Sequence, residues 1–244
     1  MIGRIVLATL VAGMLAGLVL ACIQHVRLTP LILQGEVYEH ASEPAAAATS
    51  EAAKPCVENM PGMTMCSKDG GSEWEPAEGL QQTLFTTAAS LLAGAGFAAM
   101  LAGVSFLSNI PITKQNGMIW GVCGFLAVAV APSVGLPPEV PGMPVADLLS
   151  RQIWWVGTIA ATGIGIYLIV IRPELWAKVS AVILIALPHI IGAPIAPEIA
   201  TKVPPGLAGE FVANSIAAAA VFWCVMGLFL GYALEKYQKD IASV

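Results

Sequence analysis

Six long apolar runs, nearly free of charged residues, constrain this chain more than any other feature. A helix that spans a bilayer needs about 20 such residues, and a lipid environment admits only helices or closed barrels. We therefore predict an all-α, polytopic transmembrane helical bundle of six helices. Because the third and fifth runs are near the lower length limit, five crossings with one re-entrant run is the alternative. The runs are Ile5–Ile23, Thr83–Leu107, Gly117–Ser133, Ile153–Ile171, Val179–Ile195 and Phe211–Leu234.

The charge content supports a membrane protein and excludes several functions. Charged residues make up 11% of the chain, whereas a soluble domain carries about 25%. The net charge of −5 argues against a nucleic-acid partner. No phosphate-binding or dinucleotide-binding glycine motif is present, so we expect a protein that is not an enzyme.

The chain divides into a first transmembrane helix (1–23), a long acidic loop (24–82) and a five-helix bundle (83–244). The first run is longer than the core of a signal peptide, so we predict a retained helix. With the N-terminus inside, six of the eleven Lys and Arg residues but only three of the sixteen acids face the cytoplasm. Basic residues favour that side. We predict a bacterial inner membrane, cytoplasmic termini and a periplasmic loop.

Two glycine pairs predict close helix packing. Gly13 and Gly17, and likewise Gly227 and Gly231, have the spacing that lets helix backbones approach in lipid. Such pairs serve either contacts within one bundle or a homo-oligomer, and the sequence leaves both open.

The acidic loop contains a cluster of sulfur side chains. Thiolate and thioether ligands suit soft ions, Cu(I) above all, and thiolates also suit zinc. Two other interpretations stay open: the cysteines form a disulfide in an oxidising compartment, or the methionines simply flank a turn. The cluster consists of Cys56, Met60, Met63, Met65 and Cys66.

A second group of ligands follows the first helix. It comprises His25, Glu36, Glu39 and His40, with Gln24 beside His25. If 31–40 is helical, Glu36 and His40 lie on one face, where imidazole and carboxylate suit Co²⁺, Ni²⁺ or Zn²⁺. Such pairs are also common on ordinary helix surfaces.

His189 lies within the fifth apolar run, next to Pro188. A titratable side chain inside a membrane span points to an ion or proton pathway, and a proline frees carbonyls that can bind a cation. The other interpretation is a histidine hydrogen-bonded to a neighbouring helix near the membrane edge. Four further polar residues extend a pathway or link helices: Thr158, Thr162, Asn214 and Ser215.

Several stretches together resemble the CbtA family, a family of cobalt transporter subunits of the bacterial inner membrane. The resemblance implies cobalt import for cobalamin synthesis and a small single-span partner, CbtB. It also implies that Glu36, Glu39 and His189 are ligands or pathway residues. Relatives carry a histidine-rich loop where this chain has its sulfur cluster, a departure that shifts the expected metal toward copper. The stretches are 12–17, Gln24, 30–32, 36–39, 74–80, Trp154–Trp155 with Thr158 and Thr162, and 187–194.

From these features we predict a membrane permease subunit that takes up a transition-metal ion as its substrate. Cobalt is the first expectation, with copper, nickel and zinc as alternatives. The ion would be collected by the loop and pass the Glu36–His40 region to a site near His189. The rival function is an assembly or accessory subunit of a larger membrane complex.

Overall fold

The computed structural model describes residues 2–41, 79–197 and 201–242, with only the backbone after residue 235. This part of the chain forms six helices, as predicted. The first, α1, runs without a break through Ile2–Ile23, a π-helical turn at Gln24–Leu28, and Thr29–His40. The others are α2 (Leu80–Ser108), α3 (Gly117–Ser133, with a π-helical turn at Leu126–Val130), α4 (Leu148–Ile171), α5 (Leu175–Ile191) and α6 (Pro205–Ala242).

Helix α1 extends well beyond the predicted end of the first span at Ile23. Residues 24–40, which the sequence assigned to the loop, are helical, and this boundary is corrected. The 38 residues of Gly3–His40 span about 57 Å at about 1.5 Å per residue. The hydrocarbon core of a bilayer is about 30 Å thick, so α1 projects beyond it.

Helices α1 and α2 pack antiparallel through small residues. A Cβ atom added at Gly13 would collide with Gly94 and Ala98, and one added at Gly17 would collide with the Ser90 carbonyl. Because Gly13 and Gly17 are used inside the chain, the structure gives them the intramolecular role and leaves no free surface there for a homo-oligomer.

The second glycine pair does the same for α3 and α6. A Cβ atom at Gly227 would collide with the Gly117 carbonyl, and one at Gly231 would lie 2.6 Å from the carbonyl oxygen of Thr113. Gly121 faces the Trp223 backbone in the same interface. The homo-oligomer predicted through Gly227 and Gly231 is therefore not available in this fold.

Helices α4 and α5 form an antiparallel hairpin, and α5 packs mainly against α4. The indole Nε1 of Trp154 donates to the Pro188 carbonyl at 3.1 Å. A Cβ atom at Gly165 would lie 2.6 Å from Ile185. Thr158 is fully buried, and its hydroxyl donates to the Trp154 carbonyl at 2.8 Å. The hydrogen bond of this threonine is therefore made within its own helix.

The outer surface of the bundle is apolar, as a lipid-facing surface must be. Leu92, Ile153, Val182 and Ile190 are each more than half exposed. Four helices are long and apolar enough to cross a bilayer, and α3 and α5 are shorter apolar helices. The prediction of a helical membrane bundle is confirmed.

For orientation, the Ile2 end denotes the end of the bundle where α1 begins, and the His40 end denotes the opposite one. At the His40 end, the last turns of α1 pack on the connection between α3 and α4. Gly35 faces Val140, and Gly142 faces the backbone of Glu39. The Lys202 ammonium donates to the Ala41 carbonyl, and these contacts tie the end of α1 to the bundle.

Candidate functional site

The π-helical turn in α1 lies directly before a proline. Pro30 has no N–H to donate, and its ring crowds the carbonyl of residue 26 in a regular α-helix. The wider turn at Gln24–Leu28 relieves this conflict. Both the backbone N–H and the hydroxyl of Thr29 donate to the Gln24 carbonyl, the hydroxyl at 3.2 Å. Single π turns of this kind often occur at functional sites.

The π turn forms one wall of a cavity of about 400 Å³ between α1, α2 and α6, here called the first cavity. Its floor consists of the aromatic rings of Phe97, Phe222 and Trp223. Its polar lining begins at the ends of the apolar runs of α1 and α2 and continues into the runs of α2 and α6. The polar lining residues are Gln24, His25, Thr29, Gln82, Thr83, Thr86, Thr87 and Ser215.

A hydrogen bond holds Gln24 in the wall of this cavity. The hydroxyl of Ser90 lies 2.7 Å from Gln24 Oε1 and 2.8 Å from the Thr86 carbonyl. Ser90 is only 5% exposed, and the bond links α1 to α2. The amide oxygen of Gln24 keeps a second lone pair, which can bind a cation.

A second cavity of about 420 Å³ lies between α3, α4 and α6. It also adjoins a π-helical turn followed by a proline, Leu126–Val130 and Pro132. Arg151 and Glu139 form an ion pair of 2.9 Å in its wall. Ser215 of α6 lines both the first and the second cavity, so α6 separates them with a small polar residue.

Asp147 begins α4 close to this ion pair. Its carboxylate accepts hydrogen bonds from the backbone N–H and the hydroxyl of Ser150, at 2.9 and 3.0 Å. These bonds, the backbone one first, lower the pKa of Asp147 below its ordinary value. Asp147 is thus a charged N-cap at the His40 end, where it stabilises the positive end of the helix.

The four predicted ligands of α1 do not form one site. His25 lies in the wall of the first cavity, whereas Glu36, Glu39 and His40 lie in the last turns of the helix. Eleven residues separate His25 from Glu36, or about 16 Å along the axis. Glu39 and His40 are exposed, and Glu36 is half-buried. Within the described residues, no three His, Cys, Asp or Glu side chains converge on a metal position.

Comparison with known proteins identifies the family. A family model described as "Probable cobalt transporter subunit (CbtA)" matches residues 2–235, nearly the whole chain. The chain belongs to the CbtA family. The predicted membership is confirmed, and this CbtA chain is a membrane protein of a family of cobalt transporter subunits. No curated protein and no solved structure gives a significant match.

The structure places His189 of this CbtA chain in the last turn of α5, which ends at Ile191. The sequence predicted it in the middle of an apolar run that extends to Ile195, with a position near the membrane edge as the other interpretation. Its ring packs edge-on against Trp154, with the ring centroids 5.9 Å apart. The neighbouring Pro188 carbonyl already accepts from Trp154 and from the Gly192 backbone. His189 lines neither the first nor the second cavity.

The sulfur cluster lies outside the described residues, so Cys56, Met60, Met63, Met65 and Cys66 remain predicted ligands. The sequence reasoning missed most of the first cavity. It grouped Gln24 with His25, but it overlooked Thr83, Thr87 and Ser90. The available signal was a run of amide and hydroxyl residues, Gln81 to Thr87, at the start of an otherwise apolar span.

Proposed function

We propose that this CbtA chain is the permease subunit through which a transition-metal ion, Co²⁺ first, crosses the membrane. We place the binding site in the first cavity, toward the His40 end of the apolar spans. The observation that carries the proposal is the presence of His25 and Gln24 beside five hydroxyl side chains in an otherwise apolar interface. Thr86, Thr87 and Ser215 lie within the apolar runs of α2 and α6, where polar residues are expensive and mark ion pathways.

The chemistry of the cavity suits an ion in transit. An imidazole nitrogen is a good ligand for Co²⁺, Ni²⁺ and Zn²⁺, while amide and hydroxyl oxygens are weaker, neutral ligands. Among the described residues that line this cavity, none carries a carboxylate or a thiolate. Conduction requires a site that binds strongly enough to admit the ion and weakly enough to release it. His25 would select the ion, and the oxygens would replace part of its water.

We propose that the ion reaches the cavity from the His40 end. Glu36, Glu39 and His40 lie there on the exposed end of α1. Carboxylates raise the local concentration of cations and speed their arrival. The sulfur residues of the loop, Cys56 to Cys66, would act before them. If those sulfurs dominate selection, copper replaces cobalt as the preferred ion.

We further propose a bacterial inner-membrane location with both termini in the cytoplasm, and a small single-span CbtB-like partner. The orientation rests on the distribution of Lys and Arg. The partner rests on the family description, which names a subunit.

Uptake of radioactive cobalt by cells tests the proposal, with two histidine variants as a matched pair. His25→Ala and His189→Ala each remove one imidazole, but only His25 lines the first cavity. At equal abundance in the membrane, His25→Ala is expected to reduce uptake at low cobalt about tenfold or more. That factor is typical even for the loss of a partner outside the first ligand shell. His189→Ala is expected to retain uptake.

The controls separate this proposal from its rival. Uptake is measured in cells that lack the chain and in cells that also carry its genomic neighbours, and abundance is measured by immunoblot. Unchanged uptake in His25→Ala at equal abundance would contradict the binding site. Cobalt uptake that does not depend on the chain at all, together with copurifying subunits in fixed ratio, would favour the assembly function.

A further inference from the structure

The same three helices that enclose the first cavity enclose another one at the Ile2 end. This third cavity has a volume of about 320 Å³. Ile5 of α1 and Leu234 of α6 line it, together with a short segment of α2. The two cavities thus occupy opposite ends of one interface, α1–α2–α6. The α2 segment and its continuation contribute Ala102, Ser105, Phe106, Asn109 and Pro111.

The third cavity combines a mostly apolar lining with the polar end of a helix. It lies where α2 ends at Ser108, and a helix C-terminus carries partial negative charge. Ser105 and Asn109 add polar groups, and the Ser105 hydroxyl donates to the Ile110 carbonyl at 2.6 Å.

An aromatic cluster closes the interface between the two cavities. The ring of Phe97 on α2 lies 5.1 Å from that of Trp223 and 6.2 Å from that of Phe222, both on α6. These are centroid distances, and the two α6 rings are 5.7 Å apart. The three rings form the floor of the first cavity. A hydrated ion cannot pass such a constriction, because an apolar neck of this kind sheds water.

Below the rings lies a short apolar layer. From Phe97 to Ala102 the distance is about 8 Å along α2, and from Trp223 to Leu234 it is about 16 Å along α6. Leu101 is 5% exposed, and Met226 and Leu230 are fully buried. The layer is therefore only a few side chains thick, with the first cavity on one side and the third cavity on the other.

The helix contacts identify the weak seam in this layer. Helices α2 and α6 both pack extensively on α1, but they touch each other only slightly. Phe97 of α2 bridges this slight contact, because its ring packs against the rings of Phe222 and Trp223 on α6. Withdrawal of the Phe97 side chain would therefore open the seam while the close glycine packing of α1 on α2 stays intact.

We propose that the metal ion crosses along the α1–α2–α6 interface, with the third cavity as its exit vestibule and the Phe97–Phe222–Trp223 cluster as the gate. This inference rests on the proposed function and adds the route, the exit and the barrier. The α4–α5 hairpin that carries His189 lies outside the route.

Thiol accessibility tests the route independently of transport. The five native cysteines are replaced by serine in the full chain, and one cysteine at a time is introduced at Thr86, Leu101 or Ala102. Thr86 lines the first cavity and Ala102 the third. In membrane vesicles of both orientations, Thr86→Cys should react with an impermeant thiol reagent only from the His40 side. Ala102→Cys should react only from the Ile2 side, and Leu101→Cys from neither.

The gate is tested by a matched pair of phenylalanine substitutions. Phe97 and Phe125 are both half-buried and pack on the same core, but Phe125 is not in the ring cluster. Added to Leu101→Cys, Phe97→Ala should abolish the protection of this thiol from the His40 side. Phe125→Ala should preserve it, which controls for general loosening of the core.

Two outcomes would overturn the inference. Reaction of Thr86→Cys and Ala102→Cys from the same side would exclude opposite vestibules, and equal exposure of Leu101→Cys by both alanine variants would exclude a specific gate. Cobalt uptake is measured separately in the native-cysteine chain. If accessibility follows the expectation while uptake does not depend on the chain, the permease function fails and the water-accessible route stands.

Discussion

At the scale of single residues, the first cavity depends on one hydrogen bond between two helices. Gln24 lies in a π turn and would be free to rotate without a partner. The Ser90 hydroxyl, 2.7 Å from Gln24 Oε1, fixes its amide toward α2. A polar bond between membrane helices stabilises the bundle only modestly, so its main effect is to orient the Gln24 amide.

Gln24→Leu and Ser90→Ala should therefore show coupling. Each substitution is expected to lower the free energy of unfolding by about 1 kcal/mol, and the double variant by less than the sum, because both remove the same bond. Reversible unfolding in detergent measures this. Thr83→Val is the control, because the Thr83 hydroxyl bonds to the Gly79 carbonyl and not to Gln24. The losses in unfolding free energy caused by Thr83→Val and Gln24→Leu should therefore add. Additive effects of Gln24→Leu and Ser90→Ala would contradict the bond.

At the scale of helices, glycine positions determine which faces approach each other. Gly94 of α2 lies against Gly13 of α1 with no space for a side chain, whereas Gly96, on the same helix, has no neighbouring atom within 4 Å of an added Cβ. Without a hydrophobic force between helices in lipid, such close packing is a major source of association. The interfaces at α1–α2 and α3–α6 follow this rule.

Gly94→Ala and Gly96→Ala form a matched pair that tests the α1–α2 interface. Gly94→Ala is expected to lower the free energy of unfolding by about 1–3 kcal/mol, the usual cost of overpacking. Gly96→Ala should leave it unchanged or raise it by up to about 1 kcal/mol, because alanine favours a helix. Unfolding in detergent distinguishes the two. Equal stability of both variants would show that α1 and α2 do not approach so closely.

At the scale of the whole molecule, successive helices run in opposite directions. Gly13 and Gly17 face Gly94 and Ser90 in reverse order, and the same holds for Gly165 and Trp154 against Ile185 and Pro188. With six helices, both termini lie at one end of the bundle. The 17 residues of α5 span about 26 Å, slightly less than the bilayer core of about 30 Å, so the membrane must thin locally or the helix ends must lie within it.

Reporter fusions in a bacterial host test this topology. An enzyme that is active only outside the cytoplasm is fused after Lys114, Pro137 or Arg172. These residues lie in the connections after α2, α3 and α4. The Pro137 fusion should report the side opposite to the Lys114 and Arg172 fusions. The same side for Lys114 and Pro137 would mean that α3 does not cross, which is the five-crossing alternative.

Much of the architecture was predictable because each membrane span is specified by a continuous stretch of sequence. Each span must satisfy its own backbone and bury its own apolar residues, so the six runs predicted six helices. Helix ends were harder, because hydropathy reports only the part within lipid. Helix α4 begins at Leu148, before the apolar run, under the cap of Asp147, and α1 continues to His40.

The sequence by itself determined the helix count and the small-residue interfaces, and it singled out His25 as a candidate ligand. Only the tertiary structure decided which residues share a cavity with His25. Local spacing paired the α1 histidines with Glu36 and Glu39, whereas the cavity joins His25 to Thr83 of α2 and Ser215 of α6. Likewise, His189 is in a last turn beside Trp154. Contacts between helices depend on register and rotation across long stretches of sequence, and no local pattern encodes them.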